Sequence, residues 1–413
     1  MTLSSLYSGI TGINASGYAM SVIGNNIANS NTVGFKAGYT SFSDILNQSL
    51  GGAGGGNLAV GRGVDLVSIG TVFGQGSFEN TTNGTDLAIE GNGFFLVADA
   101  TGTFYTRAGQ FIRDDEGYLV NPSGFRLQGY SVDNNGNLIT TLGDITVGQV
   151  SSAPSQTSEF RISLNLDGSA STGASYASTI TVYDSLGAAI PLTMTFTKLG
   201  TGNAWSYAAS IPSSMGTATS TGSIEFDTDG NLTTVDSANP FTDKDVFVDL
   251  PGTGGADYTI SWDVWDSVTG VATTEVTGYA NPSDTTFIYQ DGYAPGSVQS
   301  IAVDQDGLIS ALFTNGQTRI MGQVLLADFL SPWGLAKMGK SLFAESSDSG
   351  QPTVGVPGTG GRGRLAASSL EMSNVDMASE FVRMITTQRA YQANARVITT
   401  SDQLLQELMQ IKR

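Results

Sequence analysis

The chain has 413 residues, of which 40% are hydrophobic and only 13% charged, with 53 glycines, a balance that favours several β-rich, turn-rich domains over charged helical ones. A formal net charge of −19 excludes partners such as nucleic-acid phosphates and anionic lipid heads, which need a Lys/Arg surface. Cys and His are both absent, which removes disulfides, thiol nucleophiles, most zinc sites and every imidazole base.

Residues 3–27 open the chain with apolar positions at helical spacing: Leu6, Ile13, Met20 and Ile27 form one seven-residue row, flanked by Leu3 and Ile10. Gly9, Gly12, Gly17 and Gly24 each weaken this predicted helix by about 1 kcal/mol relative to Ala, so it needs a partner. The first Lys or Arg is Lys36, and no apolar run reaches the roughly 18 residues of a membrane span. Neither a spanning segment nor the positive n-region of a cleavable signal peptide is therefore expected. A Gly-rich stretch including Gly54, Gly55 and Gly56 reads as a hinge.

From 71 to 147 short β-like runs alternate with turn signals, among them 94–97, 104–107 and 118–120. A Ser/Thr/Gly-rich stretch, 148–286, includes strand candidates at 179–183 and 192–196 and reads as a second β domain. Residues 287–354 return to β character, with Asn315-Gly316 between apolar runs as the strongest hairpin signal. Gly358, Gly360 and Gly361 mark a second hinge-like stretch, so the expected layout is nested. Ser373 with Asp376 resembles a capping box. Behind it, Met377, Met384, Tyr391, Ile398 and Leu405 share one seven-residue row of a long C-terminal helix, with Phe381, Ala395 and Met409 on a second. Two readings of the ends stay open: helices packed on their own globular body, or an antiparallel pair that packs against neighbouring chains.

Little in the chain points to catalysis. Gly358, Gly360 and Gly363 match G-x-G-x-x-G, but no β run enters the turn and no βαβ unit surrounds it. Four acidic turns, beginning at Asp114, Asp133, Asp227 and Asp304, lack the twelve-residue loop and closing Glu of an EF-hand, so they read as hairpin turns, with weak Ca²⁺ binding as the alternative. A glycosidase pair needs only two carboxylates, yet nothing singles out two of the 37 acids. Trp205, Trp262, Trp265 and Trp333 are expected in β cores rather than along a sugar groove. No cofactor or metal is expected, and the chain reads as a non-enzyme. Charge is segregated as well: residues 1–47 and 371–413 are each neutral, and the whole −19 lies between them. Neutral ends packed centrally in a multi-subunit array would escape self-repulsion.

Three stretches resemble the hook and rod axial-protein family of the bacterial flagellum. The first runs from Asn25 through Asn26, Ala28, Asn29, Thr32, Gly34 and Phe35 to Lys36; the second covers 85–95 with Tyr105-Thr106-Arg107-Ala108-Gly109; the third covers 373–376 and 388–395. The insertion at 148–286 is similar to the outer β domain that distinguishes hook-type members from shorter rod-type ones. The resemblance implies a mainly β fold with α-helical termini, nested and multidomain. It divides as an N-terminal helix (1–30), Gly-rich linker (31–70), inner β domain (71–147), outer β domain (148–286), inner β domain again (287–354), Gly-rich linker (355–371) and C-terminal helix (372–413), the two helices pairing like a coiled coil. It further implies a structural subunit of a curved, flexible tube that carries torque from rod to filament, with a distal rod or hook-associated role as the alternative. A secreted carbohydrate-active β protein is the remote one. Implied partners are further copies of the chain, the rod, the hook cap, the hook-filament junction and the type III export apparatus, at an extracellular site reached without a cleaved signal peptide.

Overall fold

The computed structural model describes residues 2–45, 48–49, 59–60, 62–133, 137–148, 151–200, 202–237, 243–251, 255–266, 271–272 and 276–411. The protein is mainly β with a helix at each end, α1 (Thr2–Ala28) and α2 (Met377–Ile411). At 1.5 Å per residue, α2 is about 52 Å long. Its N-cap is Asp376 rather than Ser373: the Asp376 carboxylate accepts from the Ala378 amide (2.9 Å) and the Ser379 hydroxyl (2.8 Å). The helix cannot begin earlier because residues 369–371 are committed to a strand and the Asn374 side chain is bonded to the neighbouring chain segment.

The chain folds into two compact units: residues 1–149, 300–312 and 318–413 form one, and residues 150–299 with 313–317 form the other. In the second unit the sequence alternates strictly. Ala189–Lys198 buries every second side chain, as a strand with one face on a core requires. A five-stranded sheet built on Ser175–Tyr183, Ala189–Lys198 and Ala204–Ser210 shares one core with a six-stranded sheet built on Glu159–Asn165, Lys244–Asp249 and Tyr258–Trp262. Phe160, Met194, Phe196, Trp205, Tyr207 and Trp262 fill it, with the Phe160 and Trp262 rings stacked and the Tyr207 ring edge-on to Trp262.

The first unit is organised by a thirteen-stranded sheet in which Phe94–Asp99 lies between Arg126–Val132 and Gly102–Thr106. Phe94, Leu96, Tyr105, Phe329 and Phe343 form an aromatic core on it. The Asn315-Gly316 hairpin forms, with Leu312 opposite Thr318 and Gly316 at φ +80°. At the acidic turns the carboxylates cap their own loops. Asp227 accepts from the amides of Asp229 and Asn231, Asp304 from those of Asp306 and Leu308, and Asp114 from that of Tyr118. Among the described residues no group of three or more acidic side chains is placed to hold a metal ion.

Three features depart from the sequence expectations. Within the 31–70 stretch, Gly38–Asp44 and Val64–Thr71 pair as antiparallel strands, while Gly54, Gly55 and Gly56 lie outside the described residues. The second Gly-rich stretch is a bonded turn rather than a hinge. Gly358, Gly360 and Gly361 take φ of +72°, +59° and +85°, the Gly358 amide donates to Gly363 O, and the Arg362 guanidinium donates to Thr359 Oγ1. The chain then continues directly into Arg364–Ala367, paired with Leu87–Glu90, so the turn does not lead into a helix. Trp333, expected in a core, is 67% exposed on the short 3₁₀ turn Pro332–Gly334, whereas Trp205 and Trp262 are buried.

Candidate functional site

The two ends of the chain meet as an antiparallel helix pair. Ser5 lies beside Ser401 (Oγ to Oγ 3.2 Å), and Gly9 and Gly12 face Ile398 and Asn394. The seam therefore runs through small and polar side chains as well as apolar ones. A methyl group on Gly12 would sit 2.6 Å from Asn394 Nδ2, and one on Gly9 would sit 2.9 Å from Ile398 Cγ1. These two glycines, read from sequence as weaknesses, set the closeness of the pair. Gly17 and Gly24 have no atom within 4 Å of where a side chain would begin, so they face away from α2.

The apolar rows divide between seam and surface. Leu6, Ile13, Met20 and Ile27 on α1, and Met384, Ala395, Ile398 and Leu405 on α2, are half-buried. Ile10, Met377, Phe381, Tyr391 and Met409 are exposed, and the side chain of Leu3 lies outside the description. Further exposed apolar side chains, not among the rows read from sequence, lie on α2 away from the seam in two groups, Val382 (62% exposed) with Ile385 (51%) and Val397 with Leu404, with Arg389 and Arg396 between them. Tyr7 and Tyr18 occupy the equivalent side of α1. Exposed apolar groups on the far side of a helix have use for a second partner, and among the described residues the helix that α2 packs on is α1.

The pair is fastened to the β body by a buried charge cluster. Lys36, Arg107 and Glu371 are 2%, 4% and 0% exposed. Glu371 Oε1 accepts from Lys36 Nζ (2.6 Å) and from the Gly76 amide (2.9 Å), and Oε2 accepts from Arg107 Nη1 (3.3 Å). Lys36 Nζ also donates to Gly74 O and Arg107 Nη2 to Gly91 O, both at 2.8 Å, while Arg107 Nε is buried without a hydrogen-bond partner among the described residues. Burial pushes the Lys36 amine and the Arg107 guanidinium below their ordinary pKa values, and Glu371 opposes that shift in both. The cluster is consequently held together by Glu371, the one anion between two cations.

Around it the three stretches singled out in the sequence converge. Asn26 closes the exit of α1 by pairing its side-chain amide with both the N–H and the C=O of Gly38, each at 2.8 Å. Gly34, at φ +66°, donates its amide to Glu371 O (2.7 Å), and any side chain there would collide with the Ala108 backbone. Asn374, just before α2, accepts from the Ala37 amide and donates to Val72 O and Gly74 O. The Asn29 amide N–H donates to Asn25 O and Thr32 Oγ1 to Asn29 Oδ1, which shapes the turn after α1; Phe35 is half-buried and Ala28 exposed. Glu371 was not anticipated as a site residue. The available signal was Lys36, the only base in the first 47 residues, which a buried position would oblige to find an acid.

Four family profiles match the chain. "Flagella basal body rod protein" covers residues 6–36, "Flagellar hook protein FlgE/F/G D1 domain" 88–171, "Flagellar basal body protein FlaE D2 domain" 155–293, and "Flagellar basal body rod FlgEFG protein C-terminal" 366–411. The sequence is 38% identical to the flagellar hook protein FlgE of Borreliella burgdorferi and 35% identical to that of Treponema pallidum, over 99% of each chain. It is 34% identical to the Escherichia coli protein of the same name over 98% of each chain.

Proposed function

The chain belongs to the flagellar hook protein family and is a structural subunit of the bacterial flagellar hook; from that premise we propose that the terminal helix pair is the element through which copies of it polymerise. The observation that carries this reading is the set of large apolar side chains that α2 leaves exposed on the side away from α1. The seam side of α2 meets α1, while Val382, Ile385, Val397 and Leu404 stand in solvent. Packing those side chains against helices of neighbouring copies would remove them from water at roughly 25 cal/mol per Å² of apolar area. The neutrality of both ends lets such helices crowd without mutual repulsion. A contact of this kind that does not close on itself generates an open helical tube.

In this reading the buried cluster at Glu371 transmits load from the helices to the β body, and the acidic β units face outward, so the tube bends and carries torque from rod to filament. Copies at its ends would meet the rod, the hook cap and the hook-filament junction. Export through the flagellar type III apparatus, with α1 retained in the assembled subunit, agrees with the structural part α1 plays in the pair. The test is a Val382→Asp, Ile385→Asp double variant of the full chain. Both side chains are exposed in the subunit, so its circular dichroism and thermal unfolding should match those of the unsubstituted chain, while electron microscopy should show no tubes. Normal tubes from this variant would end the assignment.

A further inference from the structure

The chain has only six lysines, and three of them, Lys36, Lys337 and Lys340, line a single cavity of about 320 Å³ at the foot of α1. Lys36 is consumed by Glu371 on the inner side. Lys337, on the strand Ala336–Gly339, pairs through its backbone with Phe343, and its side chain makes no ion pair or hydrogen bond among the described residues. The residue is exposed on its strand, and partial desolvation of its amine by the cavity wall lowers the pKa from its ordinary value. Lys340 lies over the Phe125 ring (5.8 Å) and within the electrostatic reach of Asp99.

The mounting of Lys340 is unusual. Gly339 pairs with Leu342, so Lys340 and Ser341 are the two central residues of a tight hairpin turn, with φ of +54° and +58°. Gly or Asn is the ordinary occupant of such positions, because a Cβ is crowded there. The turn is held by Thr106 Oγ1, which donates to Ser341 O at 2.9 Å. Backbone strain of this kind persists where the surroundings over-determine it, often beside a functional surface. The cavity wall combines these cations with the amides of Asn25 and Asn29 and the apolar side chains of Phe35 and Leu342.

We propose that this cavity is a carboxylate socket, which takes an Asp or Glu side chain from a second copy of the chain in the assembled polymer, with Lys337 and Lys340 as its cations. The inference rests on the polymer reading above. Charge complementarity selects the occupant: the excess of nineteen acids lies entirely between residues 48 and 370, so an adjoining copy presents carboxylates at high local concentration. The apolar wall suits the methylene stem of a side chain better than a fully hydrated inorganic anion. Socket and acid are different surfaces, so the contact is heterologous and adds to an open helical array without closing it.

The experiment mixes equal amounts of full-length chain with and without heavy-nitrogen labelling, allows assembly, and treats the product with a carbodiimide, which joins a Lys amine to an adjacent carboxylate with loss of water. Mass spectrometry should find isopeptides from Lys337 or Lys340 of one isotope to an Asp or Glu of the other, and only in assembled material. In parallel, Lys337→Gln, Lys340→Gln should assemble poorly at low ionic strength and lose the salt dependence of the unsubstituted chain, whose assembly should weaken towards about 1 M salt, where the Debye length is about 3 Å. Lys337→Arg, Lys340→Arg should restore assembly. Tubes without mixed-isotope cross-links at these lysines, or a Gln variant that assembles with unaltered salt dependence, would overturn the socket and leave the helix reading standing. No polymer at all from the unsubstituted chain would overturn both.

Discussion

The β sandwich of residues 150–299 and the terminal helix pair solve the problem of apolar surface in opposite ways. The sandwich closes its own core: Phe160, Met194, Phe196, Trp205 and Trp262 are fully covered by strands of the same unit. The helix pair leaves much of its apolar surface open, with a seam built on Gly9, Gly12, Ser5 and Ser401 and with Val382, Ile385, Val397 and Leu404 in solvent. One region is complete as a monomer, and under the proposed reading the other is completed by other copies. The stability of the first should not depend on protein concentration, whereas that of the second should.

The strongest way to break this contrast is Trp262→Ala. Removing the ring that Phe160 stacks on and Tyr207 and Phe196 meet edge-on should cost about 3–5 kcal/mol and unfold the sandwich at lower denaturant, leaving the helical circular-dichroism signal unchanged. Glu371→Gln comes next. It strands Lys36 and Arg107 as two buried cations without an anion, and a loss of roughly 3 kcal/mol in the unit that carries the helices is expected from urea unfolding, with the sandwich unaffected. The smallest effects sharpen the seam itself. Gly17→Ala faces open space and should stabilise α1 by up to about 1 kcal/mol in the free subunit. Gly12→Ala gains the same propensity but drives a methyl into Asn394, and hydrogen exchange in α2 should quicken instead.

What could be read in advance tracks how local the cause is. The strand Ala189–Lys198 alternates because its own sequence does, and Asn315-Gly316 turns because Gly316 tolerates a positive φ. Both signals need only neighbouring residues. Helix α2 was legible from its long stretch without Gly or Pro, but its cap shifted from Ser373 to Asp376 because strand pairing at residues 369–371 holds the preceding chain extended. The Gly358–Gly361 turn looked like a hinge because composition alone does not reveal that Arg362 is bonded across it. The junction was the least legible. Lys36 and Glu371 are 335 positions apart, Arg107 and Glu371 264, and only the completed fold brings them together. The motif around Asn25–Lys36 could be recognised without showing that its lysine would be buried against an acid near the other end of the chain.

That junction has a mechanical meaning. The two covalent strands that leave the helices are spliced side by side at the neck, through the amide of Gly34 on Glu371 O, through Lys36 on the Glu371 carboxylate, and through Asn374 on Ala37. Several ties therefore join the two segments, so a pull on either helix is shared between both and no single bond bears the whole tension. A joint built in this way can be flexed on every revolution while its fibres stay in step.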